Sequence, residues 1–234
     1  MANPISNAAR LLHAGFVLAR YDALMPLEQL AQAPWPARTA LKVAKLGRSG
    51  EVTGGQLNNL TAALSTLGPS YIKLGQFLAT RPDIIGAKRA FELKALQDRL
   101  PPFADADARN IVEAELGKPV AQLFKTFGPA IAAASIAQVH KCVTFAGRVV
   151  AVKILRPNVE KRFANDIASF GFAARMAERM SAEGKRLRPV AAVGMLEDSM
   201  KLELDLRMEA AALSEIALNS KDDRGFRVPP LIGL

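Results

Sequence analysis

IAAASIAQVHKCVTFAGRVVAVKILRP, residues Ile131 to Pro157, is the stretch around which the chain is organised. Two β-branched runs, Ile136 to Val143 and Val149 to Leu155, flank a short link, Thr144 to Arg148, that contains Gly147. That is the pattern of a β-hairpin. The second run alternates, with Val150, Val152 and Ile154 on one face and Val149, Ala151, Lys153 and Leu155 on the other. The reading predicts Lys153 in an apolar strand interior, where an ammonium is costly unless it meets an anion or a carboxylate. Ahead of the hairpin, Ala132, Ala133, Ala134 and Ser135 read as a turn of residues small enough to let backbone approach a ligand closely. A Val-Ala-Val-Lys run by itself is also the sequence of an ordinary edge strand, so other stretches must decide.

Composition narrows the class. At 234 residues, half of them hydrophobic and 23% charged, the chain is globular rather than disordered. A net charge of +9 suits a phosphate ligand, an anionic membrane surface or nucleic acid. Aromatics are 6% and do not interleave with the one basic cluster, Lys185 to Arg188, which argues against a stacking surface for nucleic acid. Cys142 is the single cysteine, so there is no intrachain disulfide, and it reads as a small strand hydrophobe. His13 and His140 have no cysteine or carboxylate at metal-ligand spacing, so no metal site is expected. No apolar run reaches the roughly 18 residues of a membrane span.

From the N-terminus, Ile5, Ala9, Leu12, Phe16 and Ala19 recur at helical steps and predict a packed face, with Arg10 and Arg20 off it. A membrane-surface helix and a targeting peptide are the alternatives for this segment. Prolines around Trp35 predict a linker from Met25 to Ala37, followed by a basic helix, Arg38 to Leu46, and a break at Gly50, Gly54 and Gly55. Gly68-Pro69 starts the next helix and Arg81-Pro82 stops it. On that helix Lys73, Gln76 and Thr80 form a polar stripe, and Gly75 at its centre, about 1 kcal/mol worse than alanine, predicts a close approach to the backbone. A further helix, Gly86 to Leu96, runs into Gln97-Asp98-Arg99-Leu100-Pro101-Pro102, and Asp105 to Leu116 reads as a helix closed by Gly117. Beyond the hairpin a helix spans Phe163 to Met180, with Ile167, Phe170, Ala174 and Ala177 on its apolar face, and Lys185 to Pro189 reads as a surface loop. A long helix from Val190 to about Ser220 carries Glu203, Asp205 and Glu209. In a continuous helix Asp205 and Glu209 share a face, Glu203 lies roughly 120° away, and Glu203 with Arg207 has the spacing of a surface ion pair.

Together these stretches resemble the UbiB/AarF family of atypical protein-kinase-like proteins, linked to ubiquinone biosynthesis. Lys73-Leu74-Gly75-Gln76 matches its Lys-x-Gly-Gln motif and Gln97 to Pro102 its Gln-Asp-x-x-Pro-Pro segment. Ala132 to Ser135 matches its alanine-rich loop, Val150 to Lys153 its nucleotide-lysine strand and Glu203-Leu204-Asp205 its Glu-x-Asp motif. The resemblance implies an α+β fold, with a helical extension to residue 116 and an incomplete kinase-like N-lobe of small antiparallel sheet and long helix over 117–234. It implies that Ala132, Ala133, Ala134, Ser135 and Lys153 bind ATP or ADP with Mg²⁺. Lys153 would pair with Glu209, or else Glu203, while Lys73 and Gln76 lie across the nucleotide cleft with Lys73 toward Glu203 or Asp205. The sequence stops at Leu234, where a fourth strand is expected. The resemblance therefore predicts an N-terminal part of a longer protein or a truncated product, lacking the catalytic aspartate and metal ligands. The expected partners are nucleotide and, beyond it, an anionic membrane surface, biosynthetic proteins or lipid intermediates. A regulatory or peripheral membrane-binding module without catalysis is the alternative.

Overall fold

The computed structural model describes residues 4–23, 56–94, 96, 100–180 and 182–232. The expected linker from Met25 to Ala37, the helix Arg38 to Leu46, the glycine break at Gly50, Gly54 and Gly55, and the motif residues Gln97, Asp98 and Arg99 lie outside these. In chain order the elements are α1 (Pro4–Arg20), α2 (Gln56–Leu67), α3 (Pro69–Ala79), α4 (Pro82–Ile85), α5 (Ala87–Lys94), α6 (Asp105–Leu116) and α7 (Val120–Leu123). There follow β1 (Thr126–Ala133), β2 (Ala137–Val143), β3 (Val149–Leu155), α8 (Val159–Met180), α9 (Ala182–Leu187), α10 (Pro189–Leu204) and α11 (Leu206–Asn219). Two compact units result, Met1–Asp98 with Lys161–Leu196 and Arg99–Glu160 with Glu197–Leu234. The chain thus crosses between units several times and divides differently from a single cut at residue 116, because most of α8 packs with the N-terminal helices.

The first unit is helical. Gly68 stands at φ +101°, and Pro69 opens α3 at the position where its missing N–H costs nothing. Arg162 closes this corner by donating to the Leu67 carbonyl at 2.8 Å. Gly75 is buried as its position suggested, and the groups that approach it are leucines: a Cβ there would stand 2.7 Å from both Leu64 Cδ1 and Leu96 Cδ2. Tyr71 meets Phe170 edge-on with ring centroids 5.0 Å apart. The face of α1 expected to pack is turned outward, with Ile5, Leu12 and Phe16 exposed, and only Ala19 of that set is buried. Polar bonds select the opposite face: Asn7 is buried and accepts from Ser169 Oγ at 3.3 Å, and Arg10 meets Asp166 at 3.3 Å, beside buried Ala14 and Val17. The expected loop at Lys185 to Pro189 is helical as far as Leu187; it turns at Arg188, φ +50°, and the Val190 N–H then donates to Glu178 at 3.1 Å.

The second unit holds a three-stranded antiparallel sheet in the order β1-β2-β3. β1 replaces the expected turn at Ala132 and Ala133; its register slips between Phe127 and Ala130, which accommodates Pro129 on an edge strand. One sheet face is dry: Cys142 and Ile154 pack on Ala108 and Val112 of α6, on Val120 and Leu123 of α7, and on Phe124, with Val150 and Val152 alongside. Burial holds the Cys142 thiol above its usual range. Gly117, at φ +68°, closes α6 as its position predicted. The alternation of β3 is as read, but its assignment to core and solvent is reversed: Lys153 shares the open face with exposed Val149 and Ala151. The expected long helix is two. Asp205 leaves helical geometry at φ −90°, ψ 91° and caps α11, its carboxylate accepting the Arg207 N–H at 3.0 Å.

Candidate functional site

Directly opposed residues of an antiparallel sheet project to the same side. Ala132 of β1 faces Val139 of β2, and Val139 faces Lys153 of β3, so the three form one row across the open face. Ala151 lies one step along that face, opposite Lys141. The floor is largely short and aliphatic, and two cations, Lys153 and the exposed Lys141, rise from it. The Lys153 ammonium donates to the Glu209 carboxylate, with 37% and 58% of the two side chains exposed. Glu209 sits in the first turn of α11, where the helix dipole favours a carboxylate.

At one end of the row the strand gives way to a turn. The Ala134 N–H donates to the Ala137 carbonyl at 2.8 Å, and Ser135 is buried. The Ala134 carbonyl accepts from Arg156 Nη2 at 2.8 Å and Nε at 3.1 Å, and Arg156 Nη2 also reaches the Pro101 carbonyl at 2.8 Å. On the dry face, Gln138 Oε1 takes the Phe103 N–H at 2.8 Å, and Gln138 Nε2 lies 2.8 Å from His140 Nε2. An amide nitrogen only donates, so His140 Nε2 accepts and Nδ1–H donates to the Gly128 carbonyl at 2.8 Å. His140 is therefore a neutral structural link, fully buried.

The remaining predicted residues lie on α3 and around the break between α10 and α11. Asp205 is gripped by Arg207 at 2.9 Å through both carboxylate oxygens, which lowers its pKa; Arg207 thus pairs here in place of the expected bridge to Glu203. Glu203 is the half-buried penultimate residue of α10. Lys73 and Gln76 are half-buried on α3 and belong to the first unit. The sheet unit thus brings Lys153 and Glu209 together and puts the alanines at the end of their row. Arg156 and Gln138 escaped the sequence reading; the one signal was a basic residue between the strand and Pro157.

An ABC1 atypical kinase-like domain matches residues 95–233, and the chain belongs to that family. Among curated proteins it is 38% identical over 228 residues to the "Probable protein kinase UbiB" of Marinobacter nauticus, covering 96% of this chain and 41% of that one. The "Probable protein kinase UbiB" of Cellvibrio japonicus is 40% identical over 223 residues, covering 94% and 39%. The chain spans about two fifths of the length of these relatives. A solved structure of Rv3197 with erythromycin, from Mycobacterium tuberculosis, aligns with a TM-score of 0.44 at 26% identity, covering 86% of this chain and 48% of that one. Among the described residues no helix is long and apolar enough to cross a membrane.

Proposed function

We propose that this chain is the nucleotide-binding part of an atypical kinase or ATPase that supports ubiquinone biosynthesis. The observation that carries the reading is the row Ala132, Val139, Lys153 on the open sheet face, with Glu209 on the ammonium. A flat aliphatic floor accepts a nucleobase, and the lysine neutralises the α- and β-phosphates while the carboxylate holds it in place. Ala132, Ala133, Ala134 and Ser135 bring backbone close to the phosphates, and Lys73, Gln76, Glu203 and Asp205 keep the regulatory roles that the family resemblance implies. Mg²⁺ accompanies the polyphosphate. We assign its ligands to the part of the relatives beyond the matched span. The donor set fits ATP or ADP. The test is titration of a fluorescent ATP analogue with magnesium: saturable binding lost in Lys153→Ala supports the reading, and equal binding by both proteins sinks it.

The outward row Ile5, Leu12 and Phe16 on α1, in a chain of net charge +9, favours a second reading as a peripheral membrane-binding module that acts on lipid intermediates. Cosedimentation with anionic vesicles that Leu12→Asp removes and nucleotide leaves unchanged would support it. Equal sedimentation with and without the substitution would count against it.

A further inference from the structure

The segment Pro101 to Phe103 makes no strand, yet side chains stitch it to the sheet at two points. Gln138 holds Phe103 as a neighbouring strand would, taking its N–H at 2.8 Å and reaching its carbonyl at 3.4 Å. The Gln138 amide cannot turn over, because its nitrogen must face the acceptor Nε2 of His140, whose proton is committed to Gly128. Arg156 makes the second point: one guanidinium serves the Pro101 carbonyl and, twice, the Ala134 carbonyl, and stands 5.7 Å from the Phe103 ring centroid. A planar fork can bridge two carbonyls in this way, and an ammonium on a flexible stem cannot hold both in fixed directions.

The consequence concerns the turn. The peptide after Ala134 is planar and trans, so fixing its carbonyl also fixes the direction of the Ser135 N–H. We propose that Gln138 and Arg156 are positioning residues of a latch, in which the strap Pro101 to Phe103 sets the conformation of the Ala134 turn and through it the affinity of the site for a nucleotide phosphate. The affinity half rests on the nucleotide reading above; the mechanical half stands apart from it.

Two measurements separate them. Amide hydrogen exchange without nucleotide tests the mechanics in Gln138→Met, which cuts the strap anchor, since the side-chain bonds of Gln138 run to Phe103 and His140. The Phe103 amide is expected to lose protection and the Ala134 amide to exchange about tenfold faster with it. An Ala134 amide that keeps its rate while that of Phe103 rises overturns the latch. Should Gln138→Met fail to fold, Arg156→Lys decides the same question: faster exchange at both amides supports the latch, and faster exchange at Ala134 alone overturns it. For affinity, the fluorescent ATP analogue is titrated against Arg156→Ala and Arg156→Lys. About tenfold weaker binding in both, restored in Arg156→Ala by millimolar guanidinium, is the expected result. Wild-type affinity in a folded Arg156→Ala overturns the affinity half. A wild-type protein that binds no nucleotide removes the nucleotide reading and the affinity half with it, while the exchange result still decides the mechanics.

Discussion

Replacing Gly128 by alanine tests the sheet at its tightest point. The added Cβ would stand 2.7 Å from the Lys141 carbonyl oxygen, a backbone atom that cannot swing aside, so β1 must withdraw from β2 by several tenths of an ångström. Overpacking of that kind costs about 1–3 kcal/mol. The withdrawal also pulls the Gly128 carbonyl off His140 Nδ1, 2.8 Å away, and a buried donor left without its partner costs about 1–3 kcal/mol. Lower chain entropy in the unfolded state returns only about 0.4–1 kcal/mol. The net expectation is a loss of about 1–5 kcal/mol. Gly15→Ala is the control: nothing lies within 4 Å of its would-be Cβ, so the same change inside α1 should stabilise by about 1 kcal/mol. Urea unfolding followed by circular dichroism reads both as midpoint shifts at constant slope. A Gly128→Ala protein within about 0.5 kcal/mol of the parent would refute the reasoning, since experimental spread cannot hide so large an expected loss.

Three further expectations follow from the same geometry. Burial, and after it the Asp166 carboxylate, push Tyr71 up to about 12, against an ordinary value of 10.0. Because the folded value is the higher, the stability it contributes is complete below pH 10 and is lost as pH rises toward 12, by about 2–3 kcal/mol relative to Tyr71→Phe; parallel alkaline profiles for the two proteins would contradict this. The Lys153–Glu209 pair is more than one-third exposed on both sides, so a double-mutant cycle with Lys153→Met and Glu209→Gln should give a coupling of about 0.2–1 kcal/mol that fades with salt; a coupling above about 2 kcal/mol would mean that it is far better shielded than its exposure indicates. Asp205→Ala should lower helical circular dichroism through loss of the α11 cap and Asp205→Asn should preserve it; since Arg207 depresses the Asp205 pKa, acid should weaken the cap, without abolishing it, only below the usual carboxylate range.

The sequence by itself determined the local grammar. Alternation fixed which residues of β3 share a face, Gly68-Pro69 and Gly117 fixed where helices begin and end, and the order of motifs fixed the family to which the chain belongs. Periodicity groups residues without saying which group meets the core, and at two places the tertiary structure reversed the expectation. Lys153 faces outward because Val150, Val152 and Ile154 are claimed by α6, α7 and Phe124, and α1 turns Ile5 and Leu12 outward because Asn7 and Arg10 find Ser169 and Asp166, more than 150 residues away. β1 was hidden because Gly128, Pro129 and a run of alanines have little strand propensity; pairing with β2 supplies what the residues lack. The break at Asp205 was similarly concealed, since an aspartate within a helical pattern reads equally as surface or cap until its carboxylate is seen to take the Arg207 N–H. The grip of Arg156 on both Ala134 and Pro101 joins residues 22 and 55 positions apart, and only the folded chain brings those carbonyls within reach of one guanidinium.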